Sequence, residues 1–210
     1  MLTLWSYAAF AERLPIRTYT ASDGLGSAFV AHVMQDRAGF LWFSTRDGLS
    51  RYNGYEFVTF GAEDGLSSGT ALLSLEAPSG RLFVITNGGL IASNQASGAS
   101  DHAPRFAPFL IHDANPQPNV QALALGPTGI LWGGGTGNVV RDLDGNPSVI
   151  QLDTSRGPAH PVLRVTGLSE DRHGRLWVAT NRGLYVAEPG GGVRHYTLYD
   201  KAESDVLHTV

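Results

Sequence analysis

One recurring pattern restricts how this chain can fold more than any other feature. Asp36 to Tyr52 reads DRAGFLWFSTRDGLSRY: a turn, an apolar run ending in an aromatic strand, a second turn, and a shorter apolar run. The same order returns as APSGRLFVITNGGLIAS, as GPTGILWGGGTGNVVRD and as DRHGRLWVATNRGLYVA. The aromatic after the first turn falls at Trp42, Phe83, Trp132 and Trp177, at spacings of 41, 49 and 45 residues. Self-similarity at this period marks stacked supersecondary units, each too small to bury its own apolar faces without a neighbour.

The first unit fixes what kind of structure repeats. Phe29 to Gln35 is apolar and β-rich, and Phe40 to Thr45 is apolar on both alternating positions, as in a strand covered on both faces. Asp47-Gly48 turns the chain into Leu49–Tyr52. Asn53-Gly54 then carries a two-residue hairpin signal that calls for positive φ at both positions, before Tyr55–Phe60. Four short antiparallel strands in 40 to 50 residues make a propeller blade. The expected fold is therefore all-β: a β-propeller of about four blades with four antiparallel strands each. The blades are placed at about 23–60, 61–110, 111–152 and 153–198. The third unit diverges most, with Gly126 in the place of Asp36 and Asn138 in the place of Gly48. Asn tolerates left-handed backbone best after Gly, so this exchange is expected to keep the turn. Gly133-Gly134-Gly135 is not a phosphate loop, since no helix and no Lys-Ser/Thr pair follows it.

Both ends of the sequence read as parts of the same array. Residues 1–14 form an N-terminal tail or the remnant of a signal peptide, with an apolar stretch ending Ala9-Phe10-Ala11 and no basic residue ahead of it. Ile16–Thr20 followed by Ala21-Ser22-Asp23-Gly24-Leu25 matches Phe57–Phe60 followed by Ala62-Glu63-Asp64-Gly65-Leu66. It is expected to be the last strand of a blade. Residues 199–210 begin a fifth unit, because Ser204–Val210 resembles Ser27–Val33. The expectation is a partial, open propeller within 15–210, whose uncovered blade faces make the 210-residue chain self-associate.

Composition excludes several functions. A net charge of −4 provides no electrostatic footprint for nucleic acid, and no run approaches the ~18–20 apolar residues of a membrane span. There is no cysteine, hence no disulfide and no thiolate metal site or nucleophile. The seven histidines lack ligand spacing, and no Gly-x-Ser-x-Gly elbow occurs. Asp36 and Asp171 open turns, where a carboxylate caps local N–H groups, and the four aromatics are read as packing between blades. No catalytic residue, metal ligand or cofactor is assigned.

The tandem DGL…V…D..G.LW..T..GL.RY.G..F..F resembles the repeats of the two-component regulator propeller family. It is strongest in DRAGFLWFSTRDGLSRYNG and DRHGRLWVATNRGLYVA. The resemblance implies a ligand-sensing propeller of bacterial hybrid histidine kinases and related signalling proteins. It implies a periplasmic or extracytoplasmic location, a small-molecule or oligosaccharide ligand, and partners in the remaining blades and the membrane and kinase output region of a parent protein. No kinase or receiver motif is present in the sequence, so the chain is expected to be non-catalytic by itself. The alternatives are a fragment of a propeller polysaccharide lyase or glycosidase, or a protein-docking scaffold. Against an enzyme, no carboxylate pair stands outside turn positions.

One geometric argument places a site. In a four-stranded blade, the loop entering the first strand and the loop joining the second to the third leave the same end of the sheet. Asp23, Asp64, Arg46, Asp47, Asn87, Asn181 and Arg182 are therefore candidate ligand-binding residues around one mouth of the channel. Asp23, Asp47 and Asp64 also have a plain reading as turn residues. Arg46 and Arg182 serve no turn requirement and are the better candidates.

Overall fold

A computed structural model describes residues 16–66, 69–96, 104–112, 114, 116–152 and 162–196. The signal-like stretch and the start of a fifth unit lie outside the described residues, as does most of the small, polar run Asn94–His102, which reads as an insertion loop in the second unit but whose first residues, Asn94–Ala96, continue a strand. Sixteen strands form four antiparallel sheets, each from four strands consecutive in the chain. Sheet 1 holds β1 (Val30–Gln35), β2 (Leu41–Thr45), β3 (Gly48–Tyr52) and β4 (Phe57–Phe60). Sheet 2 holds β5 (Ala71–Glu76), β6 (Arg81–Thr86), β7 (Gly89–Ala96) and β8 (Phe106–Pro108). Sheet 3 holds β9 (Ala122–Leu125), β10 (Leu131–Gly134), β11 (Asn138–Arg141) and β12 (Ser148–Gln151). Sheet 4 holds β13 (Val165–Glu170), β14 (Leu176–Thr180), β15 (Gly183–Ala187) and β16 (Val193–Tyr196). The only helices among the described residues are two 3-10 turns, Ala21–Asp23 and Ala62–Asp64.

The sheets stack face to face in chain order, and three apolar cores fill the three junctions. Trp42, Leu49 and Phe60 of sheet 1 meet Leu82, Val84, Ile91 and Phe106 of sheet 2. Phe83 and Ile85 face Leu131, Val140 and Leu143, while Trp132 and Val139 face Leu176, Val178 and Tyr185. Alternation along each central strand explains this, because successive residues serve opposite junctions and both must be apolar. The innermost strands β1, β5, β9 and β13 contact their successors in turn, whereas no comparable packing joins β13 to β1 among the described residues. The array is an open series of propeller blades.

The repeated motif owes its shape to a buried carboxylate. Asp36 accepts the backbone N–H of Phe40 at 2.9 Å through one oxygen and the Trp42 indole N–H at 2.7 Å through the other. Asp171 repeats this on Arg175 N–H at 3.1 Å and on Trp177 at 3.0 Å. A guanidinium also lies over each of the four aromatics, from Arg51 on Trp42, Arg81 on Phe83, Arg141 on Trp132 and Arg175 on Trp177.

Three expectations change. Asn53-Gly54 is not a two-residue hairpin. Four residues separate β3 from β4, and only Gly54 has positive φ. The Asn53 carboxamide oxygen instead accepts the N–H groups of Tyr55 and Glu56, each at 2.9 Å, an Asx turn that needs no left-handed Asn. In the third unit Asn138 does not adopt left-handed backbone. Gly137, one position earlier, takes it with φ 73°. Ile16–Thr20, expected as the closing strand of a blade, pairs with no strand among the described residues. It follows the 41-residue equivalence nonetheless: Tyr19 packs edge-on against Phe57 at 5.4 Å, as Phe60 packs against Phe106 at 6.1 Å.

Candidate functional site

The turns joining β2 to β3, β6 to β7 and β14 to β15 are closed by the same device. Each second strand ends in Thr, whose hydroxyl donates to the carbonyl of a Gly three residues on: Thr45 to Gly48 at 2.8 Å, Thr86 to Gly89 at 2.9 Å, Thr180 to Gly183 at 2.7 Å. The same hydroxyl accepts a tip N–H, from Asp47 at 3.3 Å, Gly88 at 3.1 Å and Arg182 at 3.0 Å. Those glycines hold φ of 124°, 113° and 110°, where a Cβ is strained. Closure therefore uses Thr, Gly and backbone, and leaves the side chains of residues 46, 47 and 87 outside the turn's own bonding. In sheet 3 Gly135 replaces the Thr, and the Asn138 side chain donates to Thr136 O at 3.1 Å instead.

These hairpin tips stand at the same end as the entrances to the innermost strands. Arg46 N–H reaches Phe29 O at 3.4 Å, and Asn181 N–H reaches Arg164 O at 3.2 Å. Thr70, entering β5, donates to Arg46 O at 2.9 Å, so neighbouring sheets are tied together at this end. The Arg46 guanidinium lies 5.0 Å from the Phe29 ring centre, and Phe29 is 54% exposed. A cation on an exposed aromatic offers a charged donor beside an apolar plate. Asp47 and Asn87 are exposed beside them along the arc.

Of the other candidates, Asn181, Asp23 and Asp64 have their side chains engaged by the fold, and Arg182 is fixed through its backbone. Asn181 accepts Arg164 N–H at 2.8 Å and donates to Val162 O at 2.9 Å, so both ends of its amide are engaged. Arg182 offers its carbonyl to His195 Nε2 at 2.8 Å, and that imidazole stacks on Tyr185 at 4.0 Å. Asp23 and Asp64 cap their own 3-10 turns through Thr20 N–H at 2.8 Å and Gly61 N–H at 3.0 Å. The backbone and side-chain hydrogen bonds of Thr20 hold the Asp23 carboxyl below its ordinary pKa. The glycines that follow both aspartates pass against Phe57 and Phe106 of the outer strands, away from the hairpin tips. The structure thus groups Arg46, Asp47 and Asn87 with Asn181 and Arg182 at one end, and separates Asp23 and Asp64 from them. Phe29 and the three closing threonines escaped the sequence reading. The threonines had a signal, since each stands three residues before a repeated Gly.

Among the described residues no group of three His, Cys, Asp or Glu side chains could hold a metal ion. The carboxylates with short contacts serve turns and junctions: Glu76 accepts Arg37 N–H at 2.8 Å, and Glu170 accepts the Thr128 hydroxyl at 2.6 Å. No helix among the described residues is long and apolar enough to cross a membrane.

Known proteins share this architecture. A segment of 44 residues is 39% identical to histidine kinase P4 of Formosa agariphila, covering 21% of this chain and 3% of that protein. The fold superposes on the extracellular domain assigned to a hybrid two component system from B. thetaiotaomicron with a TM-score of 0.63, at 16% identity, over 95% of this chain and 29% of the other. Streptogramin B lyase superposes with a TM-score of 0.59, at 13% identity, over 86% of this chain and 58% of the enzyme. The chain therefore spans only a small part of the kinase and under a third of that extracellular domain, and at such identities the two structures speak for the fold alone. Residues 161–182, a stretch that holds β13 and β14 and ends at the β14–β15 tip, match the two component regulator propeller family. The chain is an all-β array of propeller blades whose fourth unit carries a repeat of the two component regulator propeller family.

Proposed function

We propose that this chain is a ligand-sensing propeller module of a two-component-type signalling protein. On this reading it acts outside the cytoplasm, is non-catalytic by itself, and works with further blades and a membrane and kinase output region of a longer parent protein. The observation that carries the reading is the chemistry of the hairpin end. Thr and Gly close the turns, so Arg46, Asp47 and Asn87 present charge and amide groups beside exposed Phe29 without serving the turn. Such a loop-built edge on a rigid β scaffold suits a small polar molecule or an oligosaccharide. The engagement of the short-contact carboxylates in turns and junctions supports binding over catalysis.

Titration calorimetry of the chain against a panel of oligosaccharides tests this. Saturable binding without turnover is expected, weakened about tenfold or more by Arg46→Ala or Asn87→Ala, the loss of roughly one charged or amide hydrogen bond. Turnover of any member would replace the sensor reading with that of a propeller lyase or glycosidase. The absence of any binding would favour a protein-docking scaffold.

A further inference from the structure

One place in the repeat changes its chemistry from junction to junction. In sheet 2 a β-bulge precedes Leu73, which pairs with Ile85, two residues beyond the aromatic Phe83. Both pack in one apolar cluster with Leu123 of sheet 3. In sheet 3 the matching pair is Ala122 and Gly134, and Leu168 of sheet 4 lies against it. In sheet 1 the same bulge precedes His32, which pairs with Ser44, two residues beyond Trp42. The residue opposite in sheet 2 is Ser74, at the register position that Leu123 and Leu168 hold in sheets 3 and 4. The Ser44 hydroxyl donates to the Ser74 hydroxyl at 3.1 Å, and both side chains are fully buried. Three positions that are apolar at two junctions are thus polar at the junction of sheets 1 and 2.

The polar set is also incomplete. His32 Nδ1 is buried and has no hydrogen-bond partner. The charged groups of the surrounding elements are occupied elsewhere. Asp36, after β1, holds the Trp42 indole, and Arg51 of β3 stacks on Phe40 and Trp42. Arg46, after β2, lies over Phe29, and Glu76 of β5 accepts Arg37 N–H. No described hydrogen bond or ion pair joins any of them to His32. Burial accordingly holds the imidazole below its ordinary pKa. An apolar trio would pack here without that cost, as it does between sheets 2 and 3. A fold that departs from its own repeat at a cost in stability points to a task other than packing.

We propose that the junction of sheets 1 and 2 is a proton-responsive joint, in which protonation of His32 loosens its inner end. The neutral ring leaves one lone pair of Nδ1 unused, which costs little. The charged ring sets an N–H where no acceptor stands, and a buried cation without a partner costs far more. β1 is an innermost strand and His32 is half-buried, so the ring can turn out to water and uncover Ser44 and Ser74. The bond from Thr70 to Arg46 O crosses the same junction at the hairpin end, which sets the joint beside the candidate ligand edge. The joint itself does not depend on that edge binding a ligand. Since the folded pKa lies below the unfolded value near 6.5, the joint is tight above about pH 6.5 and loosens as the pH falls toward the folded value.

The sequence contains no cysteine, so Ser74→Cys sets a single reporter in the joint and Leu123→Cys sets one at the matching place between sheets 2 and 3. Each full-length variant is labelled with a pyridyl disulfide from about pH 7.5 to about pH 5.5, and free cysteine at each pH corrects for the thiolate fraction. Corrected labelling of Ser74→Cys is expected to accelerate on acidification, by up to about tenfold per pH unit, the most that one proton allows. Leu123→Cys should stay within about twofold over the same range, because nothing titrates at its place. Adding His32→Gln, which keeps a polar side chain but takes up no proton, should abolish the acceleration. Urea unfolding of the wild-type chain and of His32→Gln reads the same proton without a reporter, and the wild type alone should lose stability from this source across that range. Equal acceleration at both reporters, none at Ser74→Cys, or acceleration that survives His32→Gln would overturn the proposal. So would wild-type and His32→Gln chains that respond to pH identically in urea.

Discussion

Sheets 1 and 3 solve one packing problem in two ways. In sheet 1, Asp36 gathers the turn and the Trp42 indole N–H, and Trp42 is fully buried at 0% exposure. In sheet 3 the same turn begins with Gly126, and Trp132, 4% exposed, has no partner for its indole N–H. Gly126 is there because its Cβ would collide with the Glu170 carboxylate, which arrives from sheet 4 and binds Thr128. A carboxylate thus stands beside both turns, from the strand itself in one case and from the neighbouring sheet in the other. What repeats is a negative charge in a given volume, and the residue that supplies it is interchangeable.

Substitutions can break or sharpen that comparison. The largest effect is expected from Trp42→Ala, about 3–5 kcal/mol of unfolding free energy in urea, because both its flanks are covered. Trp177→Ala, at a half-buried site, should cost clearly less, and equal losses would mean that the junctions contribute little. Gly126→Asp comes next. It sets a second carboxylate against Glu170 and should destabilise by about 2–4 kcal/mol. A double-mutant cycle with Glu170→Ala should return about 1–3 kcal/mol of coupling; additive losses would deny that the two carboxylates share one place. Asp36→Ala strands two buried donors and should cost about 1–3 kcal/mol. A neutral result would show that sheet 1 tolerates an orphaned indole as sheet 3 does.

The smallest effect concerns acid. The hydrogen bond from Trp177, followed by those from Arg175 and His173, holds the Asp171 carboxyl well below the usual carboxylate range despite opposing desolvation. Its folded pKa is below its unfolded value, so its contribution is complete above about pH 4 and fades as the pH falls toward the folded pKa. Asp171→Asn should therefore flatten the fall in melting temperature between about pH 4 and pH 2. An unchanged slope would remove Asp171 from the acid response.

Much of this was legible in the residues because two-sided apolar strands such as Leu41–Thr45 fit few architectures. The Asp–Trp spacing marked the turn, although the indole hydrogen bond that fixes the spacing could not be seen until the strand folded back. Turn chemistry was harder to read. Asn53 can enter left-handed backbone or bridge two N–H groups with its side chain, and its sequence is the same in either case. Asn138 misled similarly, since Gly137 beside it takes the strain at lower cost. At the candidate site, Arg46 was marked by having no turn duty, but Phe29 beneath it read as an ordinary strand residue. Asn181 and Asp64 resembled loop polar groups; Asp64 caps its own 3-10 turn, and the engagement of Asn181 depends on backbone brought in from earlier in the chain.

Each sheet is woven from four consecutive strands, so the strand ladders of every sheet close within one unit. Contacts of such short sequence separation close small loops and form quickly, which lets a nascent chain complete sheet after sheet as it emerges. The same layout makes the unit a natural quantum of gene duplication. A copied stretch of some 40 to 50 codons, cut within a linker such as Ala62–Asp64, inserts a whole sheet together with both of its apolar faces. Growth by copying needs no redesign at the seams, and it gives mutation a fresh set of hairpin tips on which to try a new ligand.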